Sequence, residues 1–287
     1  MSRFSKEPGL SFTKMHGLGN DYVYIEEMDA PLNDASEISR KISDRHYGVG
    51  SDGLVLIGRS EIADFRMRIF NADGSEAEMC GNAARCVGKY IFENNLTNKT
   101  EIYLETLSGI RKLDLSIEGD AVAQVCVDMG HPCLIPEKIP MNVTADSFIE
   151  QEITIEEGKF HGTAVSMGNP HLVIPVHELA TMDLTKLGPL FEHHVLFPKR
   201  TNTEFVEVID RNNIRMRVWE RGVGETMACG TGACAALVAC SLCGMTERKC
   251  AVHLSGGTLF IEWLESGAVL MSGPATRVFS GKYYHST

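Results

Sequence analysis

The feature that most limits what this chain can fold into is an internal repeat. The segment from Arg66 to Arg85 lies over the segment from Arg215 to Cys234 without a gap, at an offset of 149. Seven of the twenty positions are identical, where unrelated segments of that length share about one. Ile69 and Val218, and Phe70 and Trp219, are like for like. The same offset carries Gly19 to Ile25 onto Gly168 to Ile174, so a second, distant motif holds the same register. Only two copies fit, which predicts a duplicated domain rather than a solenoid.

Each copy reads the same way locally. Tyr22 to Ile25 and Leu172 to Ile174 predict a strand after a Gly-Asn turn. Phe65 to Phe70 and Ile214 to Trp219 predict a second strand, which runs into a glycine-rich loop ending at Cys80-Gly81-Asn82 or Cys229-Gly230-Thr231. Helices are predicted over Ala83 to Phe92 and Ala233 to Cys243; the second is apolar almost all round, as a buried helix is. Residues 101–128 and 251–272 alternate in strand fashion, and residues 129–160 carry the crossing between halves. The fold class is α+β, with each half wrapping a curved sheet around a central helix.

The 287 residues suit about two domains. Lys and Arg number 27 against 38 Asp and Glu, a net charge of -11, and no basic run occurs. Nucleic acid and an anionic membrane surface are thereby excluded as partners, and a small molecule is favoured. The first residues lack the apolar core of a signal peptide, and the longest apolar run, Ala233 to Leu242, is about half of the roughly 20 residues a membrane span needs. The expected location is the cytoplasm, where thiols stay reduced. Nine cysteines then have to be sorted into packing, metal-binding and reactive groups.

Cys80 and Cys229 occupy equivalent places, each just before a helix that opens with Gly and a small polar residue. A helix N-terminus presents unpaired N–H groups and partial positive charge, which lower a thiol pKa and bind carboxylate. If the halves pack face to face about a pseudo-twofold axis, two thiols approach one cleft from opposite sides. Inverting a stereocentre beside a carboxylate needs one base on each face of the carbon, and Cys ionises near enough to neutrality to be both acid and base. For Cys86, Cys126, Cys133, Cys234, Cys240, Cys243 and Cys250 the packing reading prevails. Cys240 and Cys243 have CxxC spacing but lie in the apolar helix without a partner pair, so no metal site is expected.

Asn20 pairs with Asn169, Asn71 with Glu220, and Gly53 with Asn202 at the same offset. The asparagines are either turn residues or groups that hold the amino and carboxyl ends of an amino acid. Glu220 beside Arg221 can pair with an ammonium and a carboxylate together. His171 either satisfies its own hydrogen bonds or polarises a thiol, and His193-His194 reads as a solvated loop.

At these residues the chain resembles the diaminopimelate epimerases. The matching strings begin at Lys14 (through Asn20 to Tyr22), Gly48, Asn71, Cys80, Met167 (through His171), Thr201, Glu220 (through Cys229) and Gly273, in family order. The resemblance implies interconversion of LL- and meso-diaminopimelate with no cofactor and no pyridoxal phosphate, in lysine and peptidoglycan precursor synthesis. It implies Cys80 and Cys229 as the acid/base thiols, with His171 and Glu220 supporting them. Gly81, Asn82, Gly230 and Thr231 would bind the carboxylate at the reacting carbon. Asn20, Asn71, Asn169, Asn202, Glu220 and Arg221 would bind the rest of the substrate. Where some members place a Gln side chain on substrate this chain has Gly53, so contact there would come from backbone or water. The family fold implies an N-terminal half of residues 1–130 with 275–287 and a C-terminal half of 131–274, and family members are commonly homodimers. The competing readings are a two-cysteine racemase of proline or hydroxyproline, a thiol hydrolase using Cys80 and a His, a binding module, and an isomerase that uses carboxylates. Proline racemases carry His where this chain has Asn82 and lack the Glu-Arg pair; the hydrolase leaves Cys229 unexplained.

Overall fold

The alternating stretches form strands, and the computed structural model, which describes residues 9–284, arranges eighteen of them with four α-helices. In chain order the first copy contains β1 (Leu10–Gly17), β2 (Asn20–Glu26), α1 (Ala35–Ser43), β3 (Gly53–Gly58), β4 (Phe65–Asn71), β5 (Glu76–Ala77), α2 (Gly81–Glu93), β6 (Glu101–Thr106), β7 (Gly109–Glu118) and β8 (Ala121–Asp128). The second contains β9 (Gln151–Ile155), β10 (Gly158–Ser166), β11 (Pro170–Pro175), α3 (Leu184–Glu192), β12 (Asn202–Asp210), β13 (Asn213–Glu220), β14 (Gly224–Thr226), α4 (Gly230–Leu242), β15 (Lys249–Leu254), β16 (Gly257–Trp263) and β17 (Val269–Gly273). β18 (Thr276–Tyr283) closes the chain, antiparallel to β1. The contacts divide into two units: residues up to Val125 with those from Pro274 onward, and Cys126–Gly273.

The repeat extends well beyond the segments that reveal it. Shifting α1 and α2 by 149 gives the bounds of α3 and α4 residue for residue. The sheets follow one scheme. In the first unit β1 pairs antiparallel with β2, β2 parallel with β3, β3 antiparallel with β4, β4 parallel with β6, and β6 antiparallel with β7. In the second unit β10, β11, β12, β13, β15 and β16 repeat those pairings with the same directions. Even the added edge is shared in kind, since β9 lies antiparallel on β10 as β18 lies on β1.

α4 is buried from Gly232 to Cys240, which its run of Gly, Ala and Cys permits: small side chains let strands approach on every side. It packs against β10, β11, β12, β15, β16 and β17. α2 holds the corresponding place, buried from Gly81 to Gly88 and packed on β1 and β7. Both helices run longer than the sequence predicts, starting at the glycine directly after the cysteine rather than two or three residues later.

α1 and α3 are findings beyond the sequence reading. α1 buries Ala35, Ile38 and Ile42 along one face, against Leu54, Leu56 and Phe70. Each such aliphatic side chain contributes about 1.5–3 kcal/mol when fully buried. α3 contains Pro189, and its first turn is held by Asp183, whose carboxylate accepts from the Thr185 N–H at 3.0 Å. Phe191 secures it, stacked edge-on against Phe160 and Phe205.

Candidate active site

In the first unit Cys80 is the N-cap of α2, with extended backbone (φ -141°, ψ 116°) that turns the chain into the helix. No side chain caps the helix and its first turn holds no acidic residue, so the end stays receptive to an anion. The half-buried Cys80 Sγ donates to Asn20 Oδ1 at 3.5 Å, and Asn82 Nδ2 donates to the same oxygen at 3.4 Å. Asn20 is held in turn, since its Nδ2 donates to Asp52 Oδ2 at 2.9 Å, an oxygen that also accepts the Asp21 N–H. Arg45 bridges Asp21 and Asp52, and Lys14 lies 2.7 Å from Asp21. Burial raises the Asp21 carboxyl, but Lys14 and Arg45 outweigh it and hold the group below its ordinary value. Asp52 goes the other way, raised by burial and by the charge of Asp21.

Strand register decides what else faces this thiol. Tyr22, Gly53 and Asn71 lie level across β2, β3 and β4. Burial pushes the Tyr22 hydroxyl well above its ordinary value, and Cys80 and Asp52 push the same way, so it stays neutral beside the thiol. Gly53 is a packing glycine: a Cβ there would lie 2.2 Å from Phe70 O and 2.9 Å from the Tyr22 ring. The close approach of β3 to β4 explains the residue without any ligand. Asn71 closes a turn, donating from Nδ2 to Ser75 Oγ at 3.0 Å while its N–H bonds Ser75 O at 2.8 Å.

In the second unit Cys229 is the N-cap of α4, again extended (φ -118°, ψ 112°) and again before a turn without acidic residues. It is 7% exposed, and its Sγ lies 3.5 Å from Thr231 Oγ1. Burial pushes this thiol well up, and Glu220 and Glu204 add to the rise. The hydroxyl of Thr231 and the N–H of Gly232 act against it.

The row equivalent to Tyr22, Gly53 and Asn71 is His171, Asn202 and Glu220, by the pairings His171 with Asn202 and Thr203 with Trp219. His171 Nδ1 is 2.7 Å from Glu204 Oε1, and its Nε2 is 3.0 Å from Asn169 Oδ1. Asn202 is engaged at both ends of its amide, donating to Pro170 O at 2.8 Å and accepting the Arg221 N–H at 2.9 Å. Glu220 accepts from Thr226 Oγ1, and the exposed Arg221 donates to Lys199 O at 3.2 Å. Around each thiol the structure thus gathers its own copy's residues: Asn20 and Asn82 with Cys80, Thr231 and Glu220 with Cys229. Asn71 and Asn202 also make hydrogen bonds to their own strand ends.

Three neighbours escaped the sequence reading: Tyr22, Asp52 and Glu204. The 149 register held the signal for two of them, because it sets Tyr22 opposite His171 and Val55 opposite Glu204. Of the remaining cysteines, Cys86, Cys234, Cys240 and Cys250 are buried. Burial pushes the thiols of Cys86 and Cys240 up to about 11 and about 12. Cys250 donates to Arg211 O at 3.3 Å, and Cys243 lies 3.5 Å from Thr163 Oγ1. No cluster of His, Cys, Asp and Glu suited to a metal occurs among the described residues.

The family model described as diaminopimelate epimerase matches residues 12–135 and 163–278. A curated diaminopimelate epimerase of Acetivibrio thermocellus is 57% identical over 274 residues, covering 95% of this chain and 98% of the relative. One from Agathobacter rectalis is 55% identical, with 95% and 99% covered. Among solved structures, a probable proline racemase from Agrobacterium radiobacter superposes with TM-score 0.70 at 13% identity, covering 96% of this chain and 93% of that one. A hydroxyproline epimerase from Agrobacterium vitis gives 0.68 at 12%, covering 97% and 93%. At such identities these two share the fold.

Proposed function

The chain belongs to the diaminopimelate epimerase family, and from that premise we propose that Cys80 and Cys229 are the acid/base pair of an LL-/meso-diaminopimelate epimerase. The observation that carries the reading is the equivalence of the thiols: each is the N-cap of the buried helix in its own unit, in one 149-residue register. Epimerisation removes the α-proton from one face of the carbon and delivers a proton to the other. Each unit supplies one thiol for that exchange.

The two thiols start differently. Cys229, pushed up by burial and by two carboxylates, rests as the proton donor. Cys80, half-buried beside Asn20 at the uncapped end of α2, takes the α-proton as thiolate; the reverse reaction exchanges the roles. The N–H groups of Gly81 and Asn82, and of Gly230 and Thr231, hold the α-carboxylate and stabilise the charge that develops beside it. Asn20, Asn169 and the Glu220-Arg221 pair bind the remainder of the substrate, His171 and Glu220 support the thiols, and Asn71 and Asn202 brace the loops on which these groups stand.

The chemistry asks nothing of a cofactor, so the enzyme works without one. It acts in the cytoplasm, where thiols stay reduced; among the described residues no helix is long and apolar enough to cross a membrane. It acts as a homodimer, a reading supported by Val278, Phe279 and Tyr284, which stand out to solvent on and beside β18. The substrate is tested by incubating purified protein in heavy water without added cofactor. Diaminopimelate is expected to gain deuterium at its α-carbon while proline does not; exchange of proline alone overturns the assignment.

A further inference from the structure

Glu204 stands where a core residue belongs. Its row across β11, β12 and β13 is Val173, Glu204 and Val218, and the equivalent row of the first unit is Tyr24, Val55 and Ile69. Every other member of the two rows is apolar or aromatic and buried. Glu204 is itself 0% exposed, and its Oε2 has no hydrogen-bond partner among the described residues. A carboxylate taken wholly out of water costs several kcal/mol unless a partner compensates it. Here the partner is His171, equally buried, 2.7 Å away.

The hydrogen bonds at the two ends of the imidazole favour one tautomer. Asn169 Oδ1 is an amide oxygen and can only accept, so His171 Nε2 carries the hydrogen at that end. At the other end Nδ1 and Glu204 Oε1 are joined by a hydrogen bond of 2.7 Å. The consequence falls on Asn169. With its oxygen turned inward to accept from Nε2, its Nδ2 hydrogens point away from the histidine, and Asn169 is only half buried.

We propose that Glu204 is a positioning residue: acting through His171, it fixes the Asn169 amide so that its N–H donors face the substrate. This rests on the reading of Asn169 as a substrate-binding residue. The first unit supplies the contrast, because there Asn20 is held by a different route, from Asp52 to its Nδ2, which leaves the Asn20 oxygen to accept from Cys80 and Asn82. The two copies thus turn equivalent amides to opposite ends. Carboxylate binds the donor end of an amide and ammonium the acceptor end, so the second unit is built to hold an anionic part of the substrate at Asn169.

The test has two parts. In protein labelled with 15N-histidine, His171, assigned by loss of its signal in His171→Gln, is expected to show a protonated Nε2 at pH 7.5; a bare Nε2 overturns the proposal without any change at Glu204. In kinetics, Glu204→Val, which installs the residue of the first unit, is expected to raise KM for diaminopimelate roughly tenfold or more, the effect of losing one hydrogen bond to a charged group. Glu204→Gln, whose amide can donate to Nδ1, should keep KM within about threefold of the parent. An unchanged KM in Glu204→Val, or a loss confined to kcat, overturns the proposal. Asn169→Ala separates this inference from the reading beneath it: if that variant keeps its KM, the binding role of Asn169 fails; if its KM rises and that of Glu204→Val does not, only the role of Glu204 fails.

Discussion

Gly232, in the first turn of α4, offers a perturbation whose size can be worked out atom by atom. A Cβ built on it lies 2.6 Å from Glu204 Oε1 and 3.2 Å from Cys229 Sγ, whereas ordinary contact begins at 3.4 Å. In Gly232→Ala the carboxylate oxygen must therefore retreat by about 0.8 Å. Glu204 is wholly buried, so it cannot swing into water to make room. That oxygen is the one held 2.7 Å from His171 Nδ1, so its retreat disturbs the hydrogen bond. Leaving that buried group unpaired costs about 1–3 kcal/mol, against a gain of up to about 1 kcal/mol from replacing glycine by alanine in a helix. The net change is a loss of up to about 2 kcal/mol, or a melting temperature lower by up to about 8 °C. Activity should suffer more than stability, because Sγ also gives way by a few tenths of an ångström, and displacements approaching 1 Å at a reacting group cost about 100-fold. The assays are thermal unfolding and kcat/KM for diaminopimelate. A variant that melts higher than the parent and turns over at the parental rate would refute the geometry assigned to Cys229, Glu204 and His171.

Two further predictions concern the thiols. Cys86 and Cys240 are raised by burial to about 11 and about 12 from 9.0; the folded state keeps protons that the unfolded chain has released, so their stabilising share is complete below pH 9 and is lost as pH rises through the folded values. Each takes away about 1.4 kcal/mol per pH unit in that window, and Cys240→Ala should lose stability less steeply between pH 9 and 11, as read by chemical unfolding; parallel slopes would contradict this. A thiol alkylator should inactivate the enzyme by reacting first at Cys80, the half-buried member of the pair, with diaminopimelate protecting; peptide mapping that finds Cys240 or Cys86 modified before Cys80 would count against the sorting of the nine cysteines.

What the sequence disclosed, it disclosed through the repeat. The likeness of Arg66 to Arg85 and Arg215 to Cys234 points to two copies of one unit, two helices after two cysteines, and the equivalence of the thiols. α1 stayed hidden because Ala35, Ile38 and Ile42 are too few to mark a nine-residue helix against a polar background. α3 stayed hidden for the opposite reason, since Gly188 and Pro189 contradict a helix locally and tertiary packing around Phe191 overrides them. At the site, residue type was a poorer guide than register. Asn71 and Asn202 have the chemistry to bind an amino acid, and register alone shows that each also holds its own strand end, through Ser75 and through Pro170 and the Arg221 N–H. Glu204 reads as one more polar residue in Thr201 to Glu204, and only the comparison with Val55 reveals a carboxylate in a core position.

The central claim is that both thiols are needed, one from each unit. The most direct measurement is the rate of epimerisation of LL-diaminopimelate by Cys80→Ala and Cys229→Ala, each purified without cofactor and verified as folded by its melting curve. Each single variant is expected to lose at least about 1,000-fold in kcat, because removing either acid/base group stops the exchange however well the other is placed. Either variant turning over at a rate close to that of the parent would contradict the account.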